Sequence, residues 1–343
     1  MRAHAAAHVL LHQRLGDAPA DVARLFTIQQ HRLVVESLAY VQPVVARPSQ
    51  PRVVVPPRAF LTLAHQRRMI GASAAFRHVD SRVAMLQTGD IGFVVDASTP
   101  LVLHALLESS LPSSDTETNP GMLRTTLTSW MPEANEFAHP PAHMVTDLVA
   151  AAIDMANHAD APACSRAAWL TFTMLSIHPF VDGNGRTSRA LYMALVAPSL
   201  PRGIDWGALE QWSTWRGDYV AALQAGQQVE SYDPANMSAA AFIDFATRAS
   251  IAGAELCIAR LEAIETQLTN LERLVPRAHA FVETVVRMLG IATLAEIVTC
   301  GLPAGEIDAI VKDLTMGTRL RWEPRPFGRR TLERPEPFGL RSI

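Results

Sequence analysis

The residues best suited to do chemistry lie in one run, His178-Pro-Phe-Val-Asp182-Gly-Asn184-Gly-Arg186-Thr-Ser-Arg189. Upstream, residues 166–177 carry an apolar helical pattern that Pro179 must end, because proline lacks a backbone N–H and disfavours helix in the residue before it. Downstream, residues 186–196 resume helical spacing, so the run reads as a loop that opens a helix. Gly183 and Gly185 allow close backbone approach, and the N–H groups at the following helix start make an anion site, phosphate above all. Arg186 and Arg189 lie three apart, so both guanidinium groups can converge on phosphate oxygens. Asp182 offers an oxygen ligand of the kind Mg²⁺ takes alongside substrate phosphates. His178 stands at the loop entrance, where a neutral imidazole can accept a proton from an attacking hydroxyl. Together these are the parts of a nucleotide-phosphate transferase.

Composition narrows the alternatives. Among 343 residues Lys312 is the sole lysine, which removes the lysine-bearing phosphate loop and leaves Schiff-base or kinase-type lysine chemistry only that position. A hydrophobic share of 49% against 18% charged residues excludes wholesale disorder. The net charge of -3 gives no global basic field, so a nucleic-acid contact would need a local patch. Cys164, Cys257 and Cys300 are too few and too scattered for a disulfide framework or a cysteine zinc site. The absence of an 18-residue apolar run speaks against a membrane span, and residues 1–15 lack a signal-peptide pattern; the expectation is a cytoplasmic protein.

The elements that must position the run are helices. Apolar residues recur at helical spacing in residues 21–41, 59–76, 99–110, 142–158, 165–177, 186–197, 205–225, 238–270, 278–289 and 304–315, which predicts a mainly α chain. Prolines 43, 48, 51, 56 and 57 make an extended connector, and residues 112–120 a surface loop. The divisions that follow are an N-terminal helical region over 1–57, a central domain over 58–275 and a C-terminal one over 276–343.

The run resembles the signature of the Fic family, HPFx[D/E]GNGRxxR, at every fixed position. Nine specified residues would coincide in a chain of this length with a probability of roughly 10⁻⁹. The resemblance implies a Fic-type helical bundle with a short β-hairpin flap, and transfer of AMP from ATP to a Tyr, Thr or Ser hydroxyl of a protein. By that likeness His178 is the general base, Phe180 anchors the loop, and Asp182 holds Mg²⁺ against the phosphates. Gly183, Asn184, Gly185 and Arg186 bind the phosphates, and Arg189 reaches the γ-phosphate. Gly121-Met-Leu-Arg124 is similar to the family's G-x-[YF]-R segment with Leu123 in the aromatic's place, and Phe137-Ala-His-Pro140-Pro141 to the flap that recruits the target protein. Arg124 reads equally as a structural salt-bridge partner. The segment Trp215 to Leu223 resembles the family's R-x-x-Y-x-x-A-L helix.

Many family members place an inhibitory glutamate against the second motif arginine. Here Arg32-Leu-Val-Val-Glu36-Ser37 carries Glu36 on an apolar helix, though both ends of the [ST]xxxE[GN] pattern deviate; a rival match at Glu117 falls in the proline-bounded loop. The order of elements in residues 278–335 resembles a winged helix. Its candidate recognition helix holds Glu306, Asp308 and Asp313 against Lys312, which favours a protein-interaction or dimer role over DNA binding. A homodimer stays open, as does a nucleotide-sensing regulatory module with little transferase activity. His4, His8 and His12 read as a polar helix face rather than a metal site, and Pro140 and Pro141 break the helix that would align His139 with His143.

Overall fold

A computed structural model describes residues 2–39, 63–110, 119–126, 138–200, 207–227, 232–289, 292, 297, 301–324 and 337–342. They fall into two units, one drawing on residues 2–12, 34–39 and 63–254, the other on 13–33 and 255–342. The architecture is mainly α, as the periodicity predicts. The helices in chain order are α1 (Arg2–Asp17), α2 (Ala20–Ala39), α3 (Leu63–Thr88), α4 (Thr99–Glu108), α5 (Val145–His158), α6 (Ala163–Ile177), α7 (Asn184–Val196), α8 (Ala208–Thr214), α9 (Arg216–Gln224) and α10 (Ala240–Glu272).

In the first unit α6 packs along α7, with α5 against α6 and with α3 and α4 against each other and against α7. Leu170, Phe172, Met174 and Ile177 of α6 and Leu191, Tyr192 and Val196 of α7 are buried, and Phe180 between them is fully so. Trp212 anchors the far side, its ring 4.7 Å from Tyr192 and 5.5 Å from Phe242. Close passage there requires small residues: a Cβ on Gly253 would lie 2.5 Å from the Gly207 carbonyl carbon.

The start of α4 shows how firmly local sequence sets an element. The Asp96 carboxylate accepts from the backbone N–H groups of Ser98 and Thr99 at 3.0 Å, and the Thr99 hydroxyl accepts from the Asp96 N–H at 2.9 Å. That reciprocal cap satisfies donors a helix start leaves open. Arg82 of α3 reaches Asp96 at 2.7 Å. Burial would raise the Asp96 carboxyl, but the Ser98 and Thr99 bonds and the Arg82 charge bring it down to about 2.

Three expectations are revised. α3 continues to Thr88, beyond the predicted stop at 76, because buried Val79 and Val83 are hidden among polar neighbours. The helix over 205–225 is two, broken at Trp215 with φ -100 and ψ 42. His4 and His8 are buried rather than solvated, and both Nε2 atoms lie 3.0 Å from the Ser250 hydroxyl of α10; the apolar bulk of α10 makes that face an interior one. The proline connector and the 111–118 loop lie outside the described residues, as does Phe137 at the head of the expected flap; residues 138–141 form no strand.

The second unit adds α11 (Arg277–Leu289), α12 (Ala304–Met316) and an antiparallel pair, β1 (Leu320–Pro324) with β2 (Pro337–Ser342), in register Leu320 to Ser342. Glu283, fully buried on α11, accepts from Arg287 at 3.0 Å and from Arg319 at 2.6 Å. Of the helix expected over 293–299 only residue 297 is described. Among the described residues no helix is long and apolar enough to cross a membrane.

Candidate active site

The run begins where α6 ends. His178 takes a left-handed conformation, φ 52 and ψ 60, and its N–H still closes the helix on the Met174 carbonyl at 3.0 Å. Left-handed backbone is uncommon outside glycine, so the surroundings must hold it there. Arg124 does so. Its Nε donates to the His178 carbonyl at 2.7 Å, and its Nη2 donates to the Ile177 carbonyl at 3.2 Å and the Pro140 carbonyl at 2.6 Å. Its Nη1 reaches the Thr126 carbonyl at 3.1 Å, and its own N–H reaches the Pro179 carbonyl at 2.9 Å. These partners are carbonyl oxygens, so the salt-bridge reading of Arg124 gives way to a clamp on the chain ends that α6 and Pro179 leave unpaired.

The middle of the loop is stapled by Asn184. Its Oδ1 accepts from the Phe180 N–H at 2.9 Å and its Nδ2 donates to the Phe180 carbonyl at 2.8 Å. Both ends of the amide thus serve the loop. Gly183 caps α7 at φ 80, and the first helical bond runs from the Thr187 N–H to the Gly183 carbonyl. The N–H groups of residues 184–186 therefore have no intrahelical acceptor, the kind of helix start that can receive an anion.

Two residues that sequence reasoning passes over support this loop from α4. His104 stacks on Phe180 with centroids 3.9 Å apart and planes 5° from parallel. Its Nδ1 accepts from the Gly121 N–H at 2.8 Å, so the ring proton sits on Nε2 and is donated to the Asp182 carbonyl at 3.0 Å. Burial lowers its pKa to about 4, consistent with one neutral tautomer. One turn on, Glu108 has a fully buried carboxylate that grips Arg186 at two points, Nε to Oε1 at 2.8 Å and Nη2 to Oε2 at 2.9 Å. A Cβ at Gly183 would fall 2.6 Å from Glu108 Oε1, so this glycine is needed for the close approach as well as for its φ. The signal in the sequence was a polar pair four apart within an otherwise apolar helix, His104 and Glu108.

Electrostatics divide the site. Burial pushes Glu108 above the usual carboxylate range, against the pull of Arg186. Burial would also raise Asp182, but the Arg186 charge 3.1 Å away and the Gly183 N–H outweigh it and keep the carboxyl low. Asp182 is thus ionised, half-exposed and at the loop surface. A single ionised carboxylate of this kind fits Mg²⁺ shared with phosphate oxygens. Among the described residues no cluster of three or more histidines, cysteines or carboxylates offers a protein-only metal site.

His178 carries the opposite tuning. Burial and the neighbouring His139 lower its pKa to about 4, with a bond toward the Leu175 carbonyl and the Asp182 charge pulling back. It is neutral at pH 7, as a proton acceptor must be. At the inner end of the run Arg189 is buried, its Nη2 donating to the Leu38 carbonyl of α2 at 3.0 Å while its Nε has no partner among the described residues. Glu36, two residues before Leu38, is half-buried on the same helix. The structure thus gathers His178, Asp182, Gly183, Asn184, Gly185, Arg186 and Arg189 on one loop and helix start, and brings the Glu36 helix to Arg189.

With that geometry in view, the comparisons are specific about the family and silent about the substrate. The family model described as Fic/DOC family matches residues 96–196. Among solved structures, the chain is similar to a Fic family protein from Desulfovibrio desulfuricans G20, at 16% identity over 98% of this chain and 96% of that one, with a TM-score of 0.50. It is also similar to Fic-1 from C. elegans, at 18% identity over 76% of this chain and 72% of that one, with a TM-score of 0.51. At such identity these structures speak for the fold alone. No curated protein matches the chain. The segment that runs from the Asp96 cap through α4, the His178 loop and α7 is a Fic/DOC family domain.

Proposed function

We propose that this chain transfers AMP from ATP to a Tyr, Thr or Ser hydroxyl of a protein. The observation that carries the reading is the pairing, on one loop, of a half-buried neutral imidazole at His178 with an ionised Asp182 and an open helix start four to six residues on. The target hydroxyl gives its proton to His178 as its oxygen bonds the α-phosphorus; the bond from that phosphorus to the β-phosphate oxygen breaks and pyrophosphate leaves. Mg²⁺, held by Asp182, would supply charge neutralisation for the phosphates. The N–H groups of residues 184–186 and the arginines orient them, and positioning of this kind is most of phosphoryl catalysis.

Arg189, with its buried Nε lacking a partner among the described residues, is assigned to the γ-phosphate. Its bond to Leu38 supports Glu36 as the residue that blocks that subsite, since a carboxylate on the same helix competes with phosphate for the same guanidinium. One observation favours a second reading, a nucleotide sensor with little transfer: Arg186 is already engaged by Glu108 and Asp182. Incubating the chain and its Glu36→Gly and His178→Ala forms with Mg²⁺ and ATP labelled on the α-phosphate separates them. Label on protein that rises in Glu36→Gly and vanishes in His178→Ala supports the transferase; nucleotide binding without label in any form supports the sensor.

A further inference from the structure

His139 stands outside the motif, in the segment expected to form the flap, yet its ring lies against that of His178. The centroids of His139 and His178 are 4.5 Å apart and their planes are tilted by 31°, a close tilted ring contact within the range aromatic pairs favour. The His139 ring is not free to turn. Its Nδ1 lies 2.9 Å from the Ser176 carbonyl, which can only accept, so Nδ1 carries the proton and points away from solvent. Ser176 is buried and fixed in α6 by its own hydroxyl bond to the Phe172 carbonyl at 2.9 Å. The backbone beside His139 is pinned as well, because Pro140 gives its carbonyl to Arg124, the same guanidinium that holds the His178 carbonyl. One rigid frame therefore carries both imidazoles.

His178 needs such a wall. It caps α6 in a left-handed backbone and is bonded toward the Leu175 carbonyl, a bond that lasts only while the ring keeps its plane. A ring pivoting about its Cβ–Cγ bond would swap the nitrogen offered to a hydroxyl with the one turned inward.

We propose that His139 is a positioning residue for the base: its pinned ring packs on the face of His178 and fixes which imidazole nitrogen is presented to the target hydroxyl. This rests on the transferase reading for its consequence in rate, while the ring contact itself is independent of it. The need is for a flat ring and not for a second imidazole.

The test uses the full chain with His139→Phe, which keeps a ring, and His139→Leu, which keeps bulk and loses the plane. With α-labelled ATP, His139→Leu is expected to lower kcat by about 10- to 100-fold, the scale of a misplaced reacting group, with KM for ATP within about twofold, and His139→Phe to restore most of it. Nitrogen-15 ring spectra of His178 should show one neutral tautomer in the wild type and in His139→Phe, and a mixture in His139→Leu. An unchanged kcat and tautomer in His139→Leu overturns the proposal, as does a His139→Phe form as slow as His139→Leu, since a nitrogen would then be required. If the wild type transfers no label, the transferase reading falls and the spectra alone decide the role of His139. Should His139→Leu not fold, the wild-type spectrum decides: two His178 tautomers, or no cross-peak between the two rings, overturns the positioning role.

Discussion

The two ends of the 178–189 run are held by unlike chemistry. At its entrance Arg124 grips neutral carbonyl oxygens, and two imidazoles lie against each other. At its exit a buried carboxylate and an ionised aspartate share one guanidinium. On the proposed transfer, the difference follows from what each end would meet. A base has to be unprotonated before it acts, and burial beside a fixed cation keeps it so. Phosphates arrive already charged, and an ionic end offers them donors that are set in place and able to exchange partners.

The comparison can be broken from either side. The largest effect is expected at the entrance: Arg124→Met removes the donor for the carbonyls of residues 126, 140, 177 and 178 at once and should destabilise the domain by about 4 kcal/mol, because hydrogen bonds from a charged donor count for more than neutral ones and buried orphans are costly. Denaturant unfolding reads it, and a loss below about 1 kcal/mol would mean the carbonyls find other donors. At the exit, Glu108→Leu leaves Arg186 without its buried partner and should cost about 3 kcal/mol; an equal loss in Glu108→Gln would show that charge, rather than shape, holds the arginine.

Acid sharpens the contrast. His104 and His178 have folded pKa values near 4, below the usual 6.5. The unfolded chain therefore binds more protons between those values, and stability falls as pH drops from about 6.5 toward about 4. Unfolding free energies measured across that window should slope less steeply in His104→Gln. The smallest effect on stability belongs to Asp182→Asn, under about 1 kcal/mol, because the side chain is 51% exposed; the same change should abolish label transfer, so a substitution that leaves both untouched removes Asp182 from the site.

Much of this was legible in the chain. Pro179 announces the end of α6, and the spacing of Gly183, Asn184, Gly185 and Arg186 announces a helix start with open N–H groups, because local backbone rules decide both. The support from α4 was not. His104 and Glu108 sit 70 or more residues before the loop, and an i, i+4 polar pair says only that two side chains share a face, not what that face will meet. Asn184 shows the reverse case: the sequence marks it as a site residue, and the structure turns its amide inward to Phe180. The buried His4 and His8 were misplaced for the same reason as Val79 and Val83, since polarity near the chain hides an interior face that only tertiary packing reveals.

Arg124 ties the Thr126 carbonyl to that of Pro140. The two points are closed on each other by one side chain that also fixes the base. A single guanidinium is thus a keystone, with carbonyls up to 54 residues along the chain resting on it, so that a shift at any one of them is felt at the His178 backbone.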